Sequence, residues 1–160
     1  MRRIPLFLMV GVVLLSGCQA ASSNAVQSRP FDPSRFTYTR ISGTPDTETH
    51  FETLTVQLTN VGGAPPAPPF YGGFNRPASS MRVAGFDPHW GTRDLETRLN
   101  HPAPAAQFVA ILEGGLSITT TDGETRRFRV GDVIRVEDTS PCKGHISVVG
   151  DKPMFVIIAR

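Results

Sequence analysis

The chain has 160 residues, with 16 Lys+Arg against 14 Asp+Glu for a formal charge of +2. That length suits a single domain. The composition, with 15 Gly, 14 Pro, two Cys and only 8% aromatic residues, excludes collagen, a coiled coil, a disulfide scaffold and a polytopic membrane protein.

The N-terminus reads as an export address. Arg2 and Arg3 precede an apolar run from Ile4 to Leu15, shorter than the roughly 20 residues of a spanning helix. Leu15-Ser16-Gly17-Cys18 follows and resembles the bacterial lipobox, in which the Cys becomes the first residue of the mature protein and is lipidated. Residues 1–17 are thus expected to be a lipoprotein signal peptide. Cys18 is the expected lipidation site and the membrane contact, since more than one acyl chain anchors a protein stably. Gln19 follows the Cys. By resemblance to lipoprotein sorting rules, a residue other than Asp there favours the outer membrane, with the domain on its periplasmic face.

Loss of residues 1–17 changes the charge argument. Taking Arg2 and Arg3 from 16 basic residues leaves 14, against 14 acidic ones, so the remainder is formally neutral. Lys occurs only at 143 and 152, and the Arg residues are scattered. Nucleic acid is therefore not an expected partner, because its backbone calls for clustered cations. With Cys18 lipidated, Cys142 stands alone and has no internal disulfide partner.

Residues 18–35 are small, polar and Pro-containing, and read as a flexible tether. A domain is expected over 36–160. Phe36 to Ile41 is rich in aromatic and β-branched residues, as a strand requires. In 51–59, Leu54, Val56 and Leu58 alternate with Thr55, Gln57 and Thr59, the pattern of a half-buried strand. The stretch from Gly62 to Pro77 holds nine Gly or Pro and predicts a long surface loop without strand or helix, covering the mouth of the domain. Its Phe70, Tyr71 and Phe74 are expected to pack the loop onto the domain rather than to bind a ligand.

A strand is expected over 80–86, and one or two helical turns over 92–99. Further strands follow at 107–112, 115–121, 124–130, 133–137, 145–149 and 154–159. Asp122-Gly123 predicts a two-residue hairpin turn with positive φ at both positions. Short strands at this spacing predict an all-β sandwich or barrel.

The block from His101 to Gly150 resembles the cupin superfamily of small jelly-roll β-barrels. The first cupin motif, G-x5-H-x-H-x3,4-E-x6-G, is matched by His101-x-Ala103-x3-Gln107-x6-Gly114. The second, G-x5-P-x-G-x2-H-x3-N, is matched loosely from Gly131 through Pro141 and Gly144 to His145. The chain is similar in particular to small bacterial cupins with HPAP-x-x-Q before the central strands and KGH after them.

The resemblance implies a single cupin-type jelly-roll barrel. It also implies that His101 and His145 occupy two of the positions that hold Fe, Mn, Ni or Zn in metal-binding members. Ala103 has no ligand atom, and Gln107 replaces a carboxylate with a neutral carbonyl oxygen, which weakens any such site. His50 and His89 are candidates for a third nitrogen. The bland alternative is a hydrogen-bonded polar cluster of His101, Gln107 and His145 inside the barrel.

Secondary candidates are weaker. Cys142, beside Lys143 and His145, has the neighbours that lower a thiol pKa. Glu113, Glu137 and Asp138 are expected to be solvated strand-end charges, and Trp90 to pack in the core. Three functions remain open. One is binding of a small polar ligand by His101, Gln107 and His145. Another is metal-dependent oxygenase or isomerase chemistry at His101 and His145. The third is a non-catalytic envelope role. A homodimer through sheet edges is also expected, as the resemblance to cupins implies.

Overall fold

The computed structural model describes residues 32–92 and 99–160. The signal peptide, Cys18, most of the tether and most of the predicted helical turns at 92–99 lie outside those residues. Eleven strands and no helix occur among the described residues: β1 (Arg35–Ser42), β2 (His50–Gln57), β3 (Thr59–Val61), β4 (Phe70–Gly72), β5 (Met81–Phe86), β6 (Gln107–Glu113), β7 (Gly115–Thr120), β8 (Thr125–Arg129), β9 (Val133–Val136), β10 (His145–Val149) and β11 (Met154–Ala159).

The domain is all-β, as its composition and alternation predict. A six-stranded sheet has the order β2-β1-β9-β6-β11-β5, and a three-stranded sheet the order β10-β7-β8. All pairings are antiparallel except β1 with β9, so the large sheet is mixed. The two sheets are not hydrogen-bonded into a closed cylinder among the described residues. The large sheet ends at edges β2 and β5, the small one at β10 and β8.

The core lies between the sheets. Ile41, Phe51, Ile111, Ile134, Val136, Val156 and Ile158 come from the large sheet, and Ile118, Phe128 and Val149 from the small one. The period-2 geometry of strands explains the selection, because each contributes alternate residues to this face. Phe51 and Phe128 bridge the sheets with ring centroids 6.0 Å apart.

β2 alternates as predicted, but its two faces are used differently from a simple buried and exposed pair. Phe51 enters the sandwich core. Leu54 and Val56 lie on the opposite face, opposite Tyr38 and Phe36 in the register. That outer face has its own cover. Phe74 packs on Phe36 (5.5 Å), Tyr38 (5.4 Å) and Phe108 (5.7 Å), and the Arg135 guanidinium stacks over Phe108 at 4.6 Å.

The loop from Gly62 to Pro77 therefore covers the outside of the large sheet, not a mouth. It also contains β4, paired with β3, where no strand was expected. Phe70 and Tyr71 are good strand formers, and the hairpin needs only three pairs. Phe74 is the aromatic that docks the loop; Phe70 and Tyr71 remain exposed.

The β7–β8 turn also differs from expectation. Only Gly123 takes positive φ (91°), while Asp122 accepts from the Glu124 N–H through Oδ1 at 3.0 Å. The Asp side chain thus stabilises the turn as an acceptor, so it needs no left-handed backbone.

Candidate functional site

His101 and His145 meet because their backbones pair. His101 N–H donates to the His145 carbonyl at 3.0 Å, and His145 N–H donates back at 3.1 Å. This isolated bridge continues the edge of β10 and sets the imidazole centroids 5.2 Å apart. Gly144 makes the approach feasible. Its φ is +83°, and a Cβ there would lie 2.2 Å from the His101 carbonyl carbon. Only glycine satisfies both demands. The Gly144 carbonyl is held in turn by the buried Thr49 hydroxyl at 2.6 Å.

His145 is buried, and its Nδ1 lies 2.7 Å from Oδ2 of Asp138. Asp138 is fully buried, and its Oδ1 has no hydrogen-bond partner. This corrects the expectation that Asp138 is a solvated strand-end charge. With a carboxylate as neighbour, Nδ1 is the protonated nitrogen and Nε2 is left for other use. Asp138 carries this oriented imidazole, and its own N-terminal neighbour Glu137 faces outward to ion-pair with Arg135 at 2.9 Å.

The pair borders a cavity of about 270 Å³ between the sheets, near the lower end of the roughly 300–1,000 Å³ of small-molecule sites. His101, Gln107, His145 and Ser147 contribute polar groups, as do Arg82 and Arg160. Ile118, Val156 and Ile158 are among its apolar walls. Gln107 reaches it because it pairs with the core residue Val136 and so shares the inner face. Trp90 lines it too and packs edge-on against Phe86 at 5.0 Å. The Trp90 segment is tied down by Val149 N–H donating to the Trp90 carbonyl at 2.9 Å.

The three primary candidates thus line one cavity, Gln107 from the large sheet and the imidazoles from the side of β10, and the secondary ones do not join them. His50 is exposed at the start of β2. His89 is exposed in a turn with φ 61° and sits 3.8 Å from Asp151. Neither lines the cavity. Cys142 donates its thiol to the Gly43 carbonyl at 3.3 Å. Its neighbour Lys143 is engaged by Glu48, whose carboxyl is held below its usual range chiefly by that hydrogen bond. Glu113 is exposed at the end of β6.

The donor set does not meet the needs of a resident first-row metal. No group of three His, Cys, Asp or Glu side chains converges among the described residues. The Gln107 carbonyl oxygen, the remaining candidate donor, already accepts from Arg160 Nε at 3.0 Å. A guanidinium on a ligand oxygen repels a cation placed there.

A second, more open hollow of about 600 Å³ lies by Phe36, Val61 and Phe70. Among the described residues no titratable side chain lines it, and its polar side chains there are only Thr59 and Asn75. No protein-family model matches this chain, and no curated protein matches it.

Proposed function

We propose that this chain is a cupin-type jelly-roll lipoprotein of the bacterial envelope that binds a small polar ligand between its sheets. The observation that carries the reading is the cavity on which His101, Gln107 and His145 converge. A six-stranded sheet facing a three-stranded one supports the jelly-roll assignment. The lipobox-like Leu15-Ser16-Gly17-Cys18 supports the anchor, with Gln19 favouring the outer membrane. An apolar region on the outside of the large sheet, with Met81 75% and Val83 67% exposed on edge strand β5, supports a homodimer.

The ligand reading is preferred to metal-dependent oxygenase or isomerase chemistry because the two imidazoles lack a third protein donor among the described residues. It is preferred to a purely structural role because burial of Asp138 and His145 is costly unless the pair serves something. Metal analysis of the full chain, alongside His101→Ala and His145→Ala, tests the first preference. Well under one metal per chain in all three is expected. Stoichiometric metal lost in both variants would restore the metal enzyme. For the anchor, Cys18→Ala is expected to abolish labelling by a palmitate analogue, and retained labelling would refute lipidation.

A further inference from the structure

Strand parity brings three polar side chains to one end of the inner face of the large sheet. On β5, Arg82 shares a face with Ala84 and Phe86, and its register partner on β11 is the core residue Ile158. Arg160 lies two residues beyond Ile158 and so returns to the same side. Gln107, on β6, accepts from Arg160 Nε. Both arginines border the cavity.

Every ion pair among the described residues uses other cations, so neither Arg82 nor Arg160 has a carboxylate partner there. No Asp or Glu appears among the described lining residues either. Two arginines bordering one cavity favour an anion there. A planar guanidinium fork matches a carboxylate by paired N–H···O bonds. The facing small-sheet wall sets Leu116 and Ile118 beside only Ser147 and His145, so it suits a largely apolar body better than a compact polyanion. The Nε2 of His145, set by Asp138, is a further acceptor at the same cavity.

Resting on the reading that the cavity holds a small ligand, we infer that this ligand is an organic carboxylate. Its carboxylate lies against Arg82 and Arg160, and its apolar body against the floor between the sheets.

Matched probes test this on the full chain by amide NMR titration: phenylacetate, its neutral analogue phenylacetamide, the cation 2-phenylethylammonium, and inorganic phosphate. Phenylacetate is expected to shift cavity residues and to bind about tenfold or more tightly than phenylacetamide. The cation is expected to bind least. Arg82→Gln removes an exposed charge on an edge strand, so the fold is retained. It is expected to weaken phenylacetate about tenfold and phenylacetamide far less. Arg160→Gln is the second variant, expected to act in the same direction.

Equal binding of acid and amide, or no effect of either substitution, overturns the carboxylate inference while the ligand cavity stands. Binding of phosphate in place of phenylacetate overturns it in favour of an inorganic anion. Failure of every probe to perturb cavity residues overturns both this inference and the cavity reading beneath it.

Discussion

The interior of this sandwich is filled at one end and open at the other. Where β1 and β2 face β8, Ile41 is fully buried and the Phe51 and Phe128 rings meet at 6.0 Å. Where β5, β6 and β11 face β7 and β10, the facing residues include Ala84, Val109 and Ser147, and a cavity of about 270 Å³ remains. The backbone pattern is the same in both halves. Side-chain volume at facing positions decides which half is core and which is site, since close packing leaves no void where large rings interdigitate. Gln107, Arg160 and the two imidazoles gather at the open end, where they have room and partners.

Substitutions in the two halves can break or sharpen this contrast. The largest effect is expected at Gly144, where the close approach to His101 holds the open end together. Gly144→Ala should cost about 4 kcal/mol or more, because the backbone must shift and the φ is unfavourable. Urea unfolding checks it, and near-normal stability would mean the histidine bridge is not a structural joint. Next is the filled half. Phe128→Ala should cost about 3–5 kcal/mol, whereas Leu116→Ala, which already faces a void, should cost about 1–2 kcal/mol. Equal losses in the same denaturant series would erase the distinction between the halves.

Smaller effects probe the polar groups. Asp138→Asn replaces the acceptor-only carboxylate beneath His145 with a neutral amide that can accept or donate, and should cost about 1–3 kcal/mol. Its specific signature is in imidazole nitrogen NMR, where the His145 proton should no longer reside solely on Nδ1. An unchanged tautomer would show that Asp138 does not orient the ring. The smallest effect concerns Asp122 at the β7–β8 turn. Its carboxyl is held below the ordinary 3.8 by the Thr120 hydroxyl, the Glu124 N–H and the charge of His50. A lowered folded-state pKa stabilises above the unfolded value and is lost as pH falls through the folded one. Asp122→Asn should therefore be slightly less stable than wild type near neutrality. The gap should close as pH falls below about 4. A gap that widens in acid would contradict the assignment.

Much of the fold is legible in the residue pattern, because strands with one apolar face declare themselves by alternation. β10 and β11 keep their predicted bounds, and β2 lies within two residues of its own, for this reason. His101 and His145 are legible as a pair through the cupin-like spacing, and Gly144 precedes the second of them. Asp138 is not, since a Glu-Asp pair at a strand end looks solvated and only the tertiary fold places it under His145. Arg82 and Arg160 carried a usable signal. Read at period 2, Arg82 falls in step with Ala84 and Phe86, and Arg160 with Val156 and Ile158. Their charge disguises a position that parity assigns to the interior. The outer aromatic cluster was hidden differently. Phe74 comes from a Gly- and Pro-rich loop with no period, so nothing local says which face it covers.

The most direct test of the central claim is a crystal structure of the full chain soaked with a mixed set of small fragments, including acids, amides and amines. The account predicts bound fragments in the cavity between the sheets, touching His101, His145 or Arg160. Fragments found only on the outer faces, with that cavity closed by its own side chains, would contradict it.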